Sequence, residues 1–330
     1  MIWTLNMTNF RKMFFIGLCM AILCFSTTQP LKAETSKFGI AALSVINLRL
    51  TPSFAAELGT QVMMGTPLHV LESKEGWLKV STPEGYISWT TEESVKLVNE
   101  DELKAWNKQP KLIVTNYFDL LRATNSNAAP VVSDVVWGNL VKNMGESGDY
   151  YKVGLPDGRI GYLLKKSGTP FDQWLESRHP TAENIIATAR QFVGFPYLWA
   201  GTSIKGLDCS GFTKTCFFFN GVVLLRDASE QASTGEPVDI SKGYDNLQPG
   251  DLLFFGSKKK GKERITHVGL YIANGEFIHS SGMVHVGSLL PASPIYDAWN
   301  TKRLLKARHI ISRIDKDPNI VSVSKHPYYQ

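Results

Sequence analysis

Cysteine is scarce in this chain of 330 residues: there are four, Cys19, Cys24, Cys209 and Cys216. So few cannot staple a fold of this length, which excludes a disulfide scaffold and leaves hydrophobic cores to hold it. Neither sign of charge dominates, with 35 basic residues against 30 acidic ones and a net charge of +5. Loss of Arg11, Lys12 and Lys32 with the N-terminal segment described below leaves 32 against 30, or +2. Without a basic tract there is no electrostatic footprint for nucleic acid, and that class of partner is excluded. Long apolar runs are missing too. The run from Met13 to Phe25 covers 13 residues, short of the ~20 that a helix needs to span a bilayer. Hydrophobic residues at 43% and charged residues at 20% exclude disorder for the bulk of the chain, and the length points to two or three domains.

The first residues indicate export. Arg11 and Lys12 precede the apolar run, and a polar stretch then leads to Leu31, Lys32 and Ala33. A basic region, a short apolar region and a small residue before the cut make residues 1–33 a secretory signal peptide. Leu23 stands before Cys24, where a lipoprotein signal carries a small residue, so lipidation is not the reading adopted. The expected location is exported, periplasmic or wall-associated, with no membrane span after cleavage. Cys209 and Cys216 then remain, and a cysteine kept in an oxidising compartment needs a chemical reason.

Between residues 40 and 165 the sequence repeats at a shift of 73 without a gap. Leu48 and Arg49 match Leu121 and Arg122, Ser53 and Ala55 match Ser126 and Ala128, and Gly65 matches Gly138. Lys79, Val80, Pro83 and Gly85 match Lys152, Val153, Pro156 and Gly158, while Trp77 and Trp89 fall opposite Tyr150 and Tyr162. This is a duplicated module. Short apolar stretches bounded by Gly, Pro and Lys-Glu turns predict small all-β units. Trp77 and Tyr150 are expected to fill cores, and Tyr86 and Trp89 to be partly exposed.

After a connector at 167–181, the spacing of Ile185, Ile186, Ala189, Phe192 and Val193 predicts a helix from Ala182 to Val193, capped by Thr181 and Asn184. A loop with Pro196, Tyr197, Trp199, Gly201 and Gly206 leads to Asp208, Cys209, Ser210 and Gly211, and an apolar helix then runs to Phe219. Cys209 thus lies at a helix start, where free N–H groups favour a thiolate. Cys216 lacks that setting and reads as a small buried apolar residue. A cysteine nucleophile needs a base. His267 opens an alternating strand and His279 closes the next one, with an Asn274-Gly275 hairpin turn between them, which would bring the two histidines together; the alternative on residue types alone is scattered structural histidines. His285 lies beyond the hairpin and is expected to be dispensable. Cys209, His267 and His279 as zinc ligands would lack a fourth, so no metal is expected.

Four motifs and the repeated units carry a resemblance. Asp208-Cys209-Ser210-Gly211-Phe212, preceded by Pro196, Tyr197, Trp199 and Gly201, resembles the nucleophile motif of the NlpC/P60 cell-wall peptidases. Arg226 to Gln231, then Gln248 to Phe255, then Thr266 to Tyr271 resemble the motifs that follow in that family. The two repeated units resemble bacterial SH3 (SH3b) domains. The resemblance implies a multidomain chain: two small all-β SH3b barrels at 34–100 and 108–166, a linker at 167–181, an α+β papain-like NlpC/P60 domain at 182–315 and a tail at 316–330. It implies Cys209 as nucleophile, His267 as base and His279 as the third polar residue, with no cofactor.

The tandem arrangement is similar to γ-D-glutamyl-L-diamino-acid endopeptidases acting on peptidoglycan stem peptides or muropeptides. On that likeness Tyr86 and Glu57 of the first SH3b unit close the cleft on a free N-terminal L-Ala, Asp208 and Tyr197 help to hold the amine, and Ser210 and Trp199 line the γ-D-Glu subsite. Asp227 and Ser229 complete the substrate-binding set, Ala228 standing where some members have a serine. The expected protein is a monomer. An amidase or a papain-like acyltransferase is the alternative chemistry, and a non-catalytic wall-binding protein the alternative class.

Overall fold

Two antiparallel sheets of seven strands build the front half, and they have the same strand order. The computed structural model describes residues 37–330; the expected signal segment, with Cys19 and Cys24, lies outside the described residues. In the first sheet the strands are Phe38–Ala41, Val45–Arg49, Leu58–Met63, Pro67–Lys74, Trp77–Ser81, Ile87–Thr91 and Val95–Val98. Every strand of the second sheet starts 73 residues after its counterpart, from Lys111–Val114 to Gly168–Pro170.

The recurring residues recur because they make the same bonds. Arg49 Nη1 donates to the Ala56 carbonyl at 2.6 Å, and Arg122 Nη1 to that of Ala129 at 3.2 Å. Ser53 Oγ accepts from Ala55 N, as Ser126 Oγ does from Ala128 N. Gly65 and Gly138 both turn the chain at positive φ, 84° and 91°, where a side chain would strain the backbone. Alternation along the strands sends Leu78 and Val80 into one core and Val153 and Leu163 into the other. Tyr150 is buried as expected, Trp77 is only half-buried, and Trp89, expected to be partly exposed, is 9% exposed. Its strand lies inside the sheet, between Val45–Arg49 and Trp77–Ser81, so its ring has little solvent to reach.

The stretch expected as a linker is structured. Gly168–Pro170 pairs with Lys111–Val114 to complete the second sheet, and helix Phe171–Glu176 buries Phe171 and Trp174. Helix Ala182–Arg190 follows, its first turn capped by Thr181 Oγ1 accepting from Asn184 N at 3.2 Å. Helix Cys209–Phe218 comes next, with Asp208 as its N-cap. It packs on a six-stranded antiparallel sheet whose order is Glu236–Val238, Leu304–His309, Leu252–Lys259, Lys262–Ala273, Glu276–Ser281, Met283–Ser288. Phe192, Phe212, Phe217, Phe254 and Val268 form the core between helices and sheet. Trp137, in the turn after Val131–Val136, stacks on Phe219 with 3.8 Å between ring centroids.

Residues 316–330, expected as a tail, are built in. Ile320–Ser322 pairs with Val222–Leu224. Tyr328 stacks on His69 of the first sheet at 4.5 Å, and Asn107 Nδ2 donates to the Tyr328 and Gln330 carbonyls. Among the described residues no helix is long and apolar enough to cross a membrane.

Candidate active site

Cys209 is the first residue of its helix, so its position is fixed by the cap before it. Asp208 Oδ1 accepts from Gly211 N at 2.6 Å, and Oδ2 accepts from Ala200 N at 3.0 Å. Ala200 is held at a φ of 62°, a conformation that costs a non-glycine residue energy and persists only where the surroundings fix it. The same carboxylate takes Arg226 Nη2 at 2.6 Å and Nη1 at 3.2 Å. Arg226 is 1% exposed, and its Nε reaches Thr60 Oγ1 in the first sheet at 2.8 Å. A buried charge pair in which all three guanidinium nitrogens find an acceptor is the arrangement that makes such a pair tolerable.

The first sheet also grips the loop that leads into the nucleophile. Gln61 Oε1 accepts from Thr202 N and Ser203 Oγ, both at 3.1 Å, and Thr202 Oγ1 donates to the Gln61 carbonyl. Lys205 Nζ bridges Ser44 of the first sheet at 3.0 Å and Asp134 of the second at 2.9 Å. The sheets and the Cys209 helix are thereby one frame.

Within that frame Tyr86, Glu57, Tyr197, Trp199, Asp208, Ser210, Asp227 and Ser229 all line one cleft of about 230 Å³ together with Cys209. Glu57, Trp199 and Ser229 are exposed along it, and Tyr86, Tyr197 and Asp227 are half-buried. Tyr86 reaches its place because residue 59 is glycine: a Cβ there would lie 3.1 Å from the Tyr86 hydroxyl. Burial raises the Tyr86 phenol above its ordinary value, with Asp227 adding to the rise. Burial, then the neighbouring Cys209 and Asp208, raise Tyr197 as well, so both hydroxyls stay protonated.

Three strands bring the imidazoles together. Leu252–Lys259 and Lys262–Ala273 pair with a bulge that leaves Thr266 unmatched, Phe255 opposing His267 and Gly256 opposing Ile265. Such a bulge re-aims the side chain beside it, and Arg303 Nη2 anchors it on Thr266 Oγ1 at 2.7 Å. His267 Nε2 lies 2.7 Å from His279 Nδ1. His279, 1% exposed, is directly opposite His285 in the register, Nε2 to Nε2 at 3.0 Å. His285, expected to stand apart from the site, is therefore in contact with it. The signal for it was present in Ser281-Gly282, a turn that folds Met283–Ser288 back along the His279 strand.

The protonation states differ from the expected thiolate. Burial, and next the Asp208 charge, push the Cys209 thiol up to about 11, against the N–H groups of Val268 and Ser210 that favour the thiolate. Burial, then Arg303, lowers His267 to about 4, while burial and the neighbouring histidines lower His279 to about 2. At neutral pH the resting site is a thiol beside neutral imidazoles. Desolvation outweighs the helix start because Cys209 is only 7% exposed. Cys216 is fully buried and pushed up further, as an inert core residue should be. The roles of Arg226, Thr60 and Gln61 were not legible, since hydrogen bonds between the first sheet and the distant nucleophile segment leave no local pattern.

A family model described as the NlpC/P60 family matches residues 194–309, and one described as the bacterial dipeptidyl-peptidase Sh3 domain matches residues 48–95. A gamma-D-glutamyl-L-lysine dipeptidyl-peptidase of Bacillus cereus is 34% identical over 234 residues, 68% of this chain and 68% of the relative. Dipeptidyl-peptidase 6 of Lysinibacillus sphaericus is 29% identical over 275 residues, 78% of this chain and 93% of that one. The crystal structure of an NlpC/P60 family protein from Bacillus cereus superposes with a TM-score of 0.69 at 26% identity, covering 82% of this chain and 99% of that chain.

Proposed function

We propose, from the premise that this chain belongs to the NlpC/P60 family and is a cysteine peptidase, that it hydrolyses the bond between γ-D-Glu and the L-diamino acid of peptidoglycan stem peptides bearing a free N-terminal L-Ala. The observation that carries this reading is the cleft in which Tyr86 and Glu57 of the first sheet face Cys209. The names of the relatives from Bacillus cereus and Lysinibacillus sphaericus support it.

Cys209 is the nucleophile and His267 the base. As sulfur attacks the γ-carbonyl of D-Glu, its proton passes to His267; the C–S bond forms and the carbonyl oxygen becomes an oxyanion. The Cys209 backbone N–H and the Tyr197 hydroxyl donate to that oxyanion, and each such donor lowers the barrier by roughly 3 kcal/mol in comparable acyl transfers. His267 returns the proton to the departing amine, and the C–N bond breaks. Water then attacks the thioester, gives a proton to His267 and releases the thiol. His279 orients His267. Asp227 and Glu57 make the end of the cleft beside Tyr86 acidic, which suits an ammonium, while the Asp208 charge is taken up by Arg226; Ser210, Trp199 and Ser229 line the D-Glu subsite. The second sheet is a second SH3 module that buttresses the frame, and residues 1–33 direct export.

A defined tripeptide, L-Ala-γ-D-Glu-L-diamino acid, and its N-acetylated form are the substrates for the test, with products identified by mass spectrometry. Release of the diamino acid from the free tripeptide alone, its loss in Cys209→Ala and its retention in Cys216→Ala are expected. Removal of the acetyl group from the N-acetylated tripeptide, or transfer of the acyl group to an added amine, would instead establish an amidase or an acyltransferase. Equal cleavage of the acetylated peptide would remove the amine site.

A further inference from the structure

We propose that His285 is a positioning residue which fixes the tautomers of His279 and His267 and so leaves the basic nitrogen of His267 facing the nucleophile. The inference rests on the reading of Cys209 and His267 as nucleophile and base, and adds a residue to it.

The argument is a count of protons along a line of ring nitrogens. His285 Nδ1 lies 3.0 Å from the Met283 carbonyl oxygen. A carbonyl only accepts, so a His285 ring with a single proton carries it on Nδ1, and its Nε2 is then a lone pair. His279 Nε2 lies 3.0 Å from that lone pair and must donate to it. The single proton of His279 is then used, and its Nδ1 is an acceptor for His267 Nε2 at 2.7 Å. His267 in turn has its proton on Nε2, and Nδ1 is the free base. The opposite tautomer of any one ring would set two lone pairs or two protons face to face at these distances. One backbone carbonyl, through His285, thus determines the state of a ring two strands away.

Burial keeps His267 and His279 neutral, which the count requires. The neighbouring carboxylate does not replace His285: Asp297 Oδ2 is 3.8 Å from His279 Nε2, beyond hydrogen-bond reach, and already accepts Asn300 Nδ2 at 2.6 Å. A metal is not what the three rings are arranged for. His279 turns one nitrogen to each neighbour, so no single point lies within the roughly 2.0–2.1 Å that a zinc–imidazole bond needs from all three.

The test compares His285→Phe, which keeps a ring and removes the acceptor, with His285→Gln, which offers a carbonyl oxygen in its place. Turnover of the free tripeptide by the full chain should fall at least about tenfold in His285→Phe with KM little changed, since a wrong tautomer disables the base and not the binding site. His285→Gln should recover most of the loss. Nitrogen-15 spectra of the histidine rings should show His267 protonated on Nε2 in the wild type and a mixture of tautomers in His285→Phe. Wild-type turnover in His285→Phe, equal losses in both variants, or a wild-type His267 protonated on Nδ1 would each overturn the proposal. Should His267→Ala and Cys209→Ala both stay active, the underlying reading fails instead.

Discussion

His267 has an acid–base behaviour that follows from where it is buried. It takes up a proton only near pH 4, against 6.5 for a free imidazole, so the basic form that the mechanism uses persists well into acid. The acid limb of kcat/KM should accordingly lie near pH 4, and a limb near 6.5 would show a solvated base. The same burial has a consequence for stability. The unfolded chain protonates both imidazoles below about 6.5, whereas the folded protein resists until about 4 at His267 and about 2 at His279. Stability from these neutral rings is therefore complete above 6.5 and is lost as pH falls from there toward 4 and below. Urea midpoints at pH 7 and pH 4.5 measure this, and His279→Gln should show the smaller decline between them.

At the scale of the element, the histidine strands work through one missing side chain. Register places Leu270 opposite Ile278, which sets Gly269 beside His279. A Cβ at 269 would lie 3.0 Å from the Phe277 ring and 3.3 Å from the His279 Cβ. Gly269→Ala should thus displace His279 and lower turnover about tenfold or more, while overpacking costs about 1–3 kcal/mol of stability; steady-state kinetics beside thermal melting separates the two effects. Much of this element was legible. The Asn274-Gly275 turn, with φ of 51° and 80°, fixes the pairing that joins His267 to His279, and alternation shows the buried face. The bulge at Thr266 was not legible, because it arises from pairing with Leu252–Lys259 and from the distant Arg303. The thiol's protonation was misjudged for a related reason: a helix start can be read from sequence, but the burial that opposes it is a property of the packed whole.

At the scale of the molecule, Arg226 joins the first sheet to the nucleophile helix through Thr60 and Asp208. Arg226→Met would leave the Asp208 charge buried without its partner, a loss of about 3–5 kcal/mol. Urea unfolding should show it, and Arg226→Met with Asp208→Asn should recover part of the stability though not the activity. The duplicated module was legible as far as Trp89 and its counterpart Tyr162, where like residues recur at one shift; its last strand in the second copy was not, since Gly168–Pro170 takes strand form only by pairing with Lys111–Val114. The exact shift of 73 also bears on how the chain reaches its native state. Each strand of one sheet has a counterpart of matching start and order in the other, so while both are unfolded a strand of one copy is a ready competitor for its place in the other. Mispairing between adjacent like modules is a characteristic kinetic trap. Aromatic residues stand at equivalent positions in the two copies, Trp77 against Tyr150 and Trp89 against Tyr162, and refolding from denaturant is where the two copies meet as rivals.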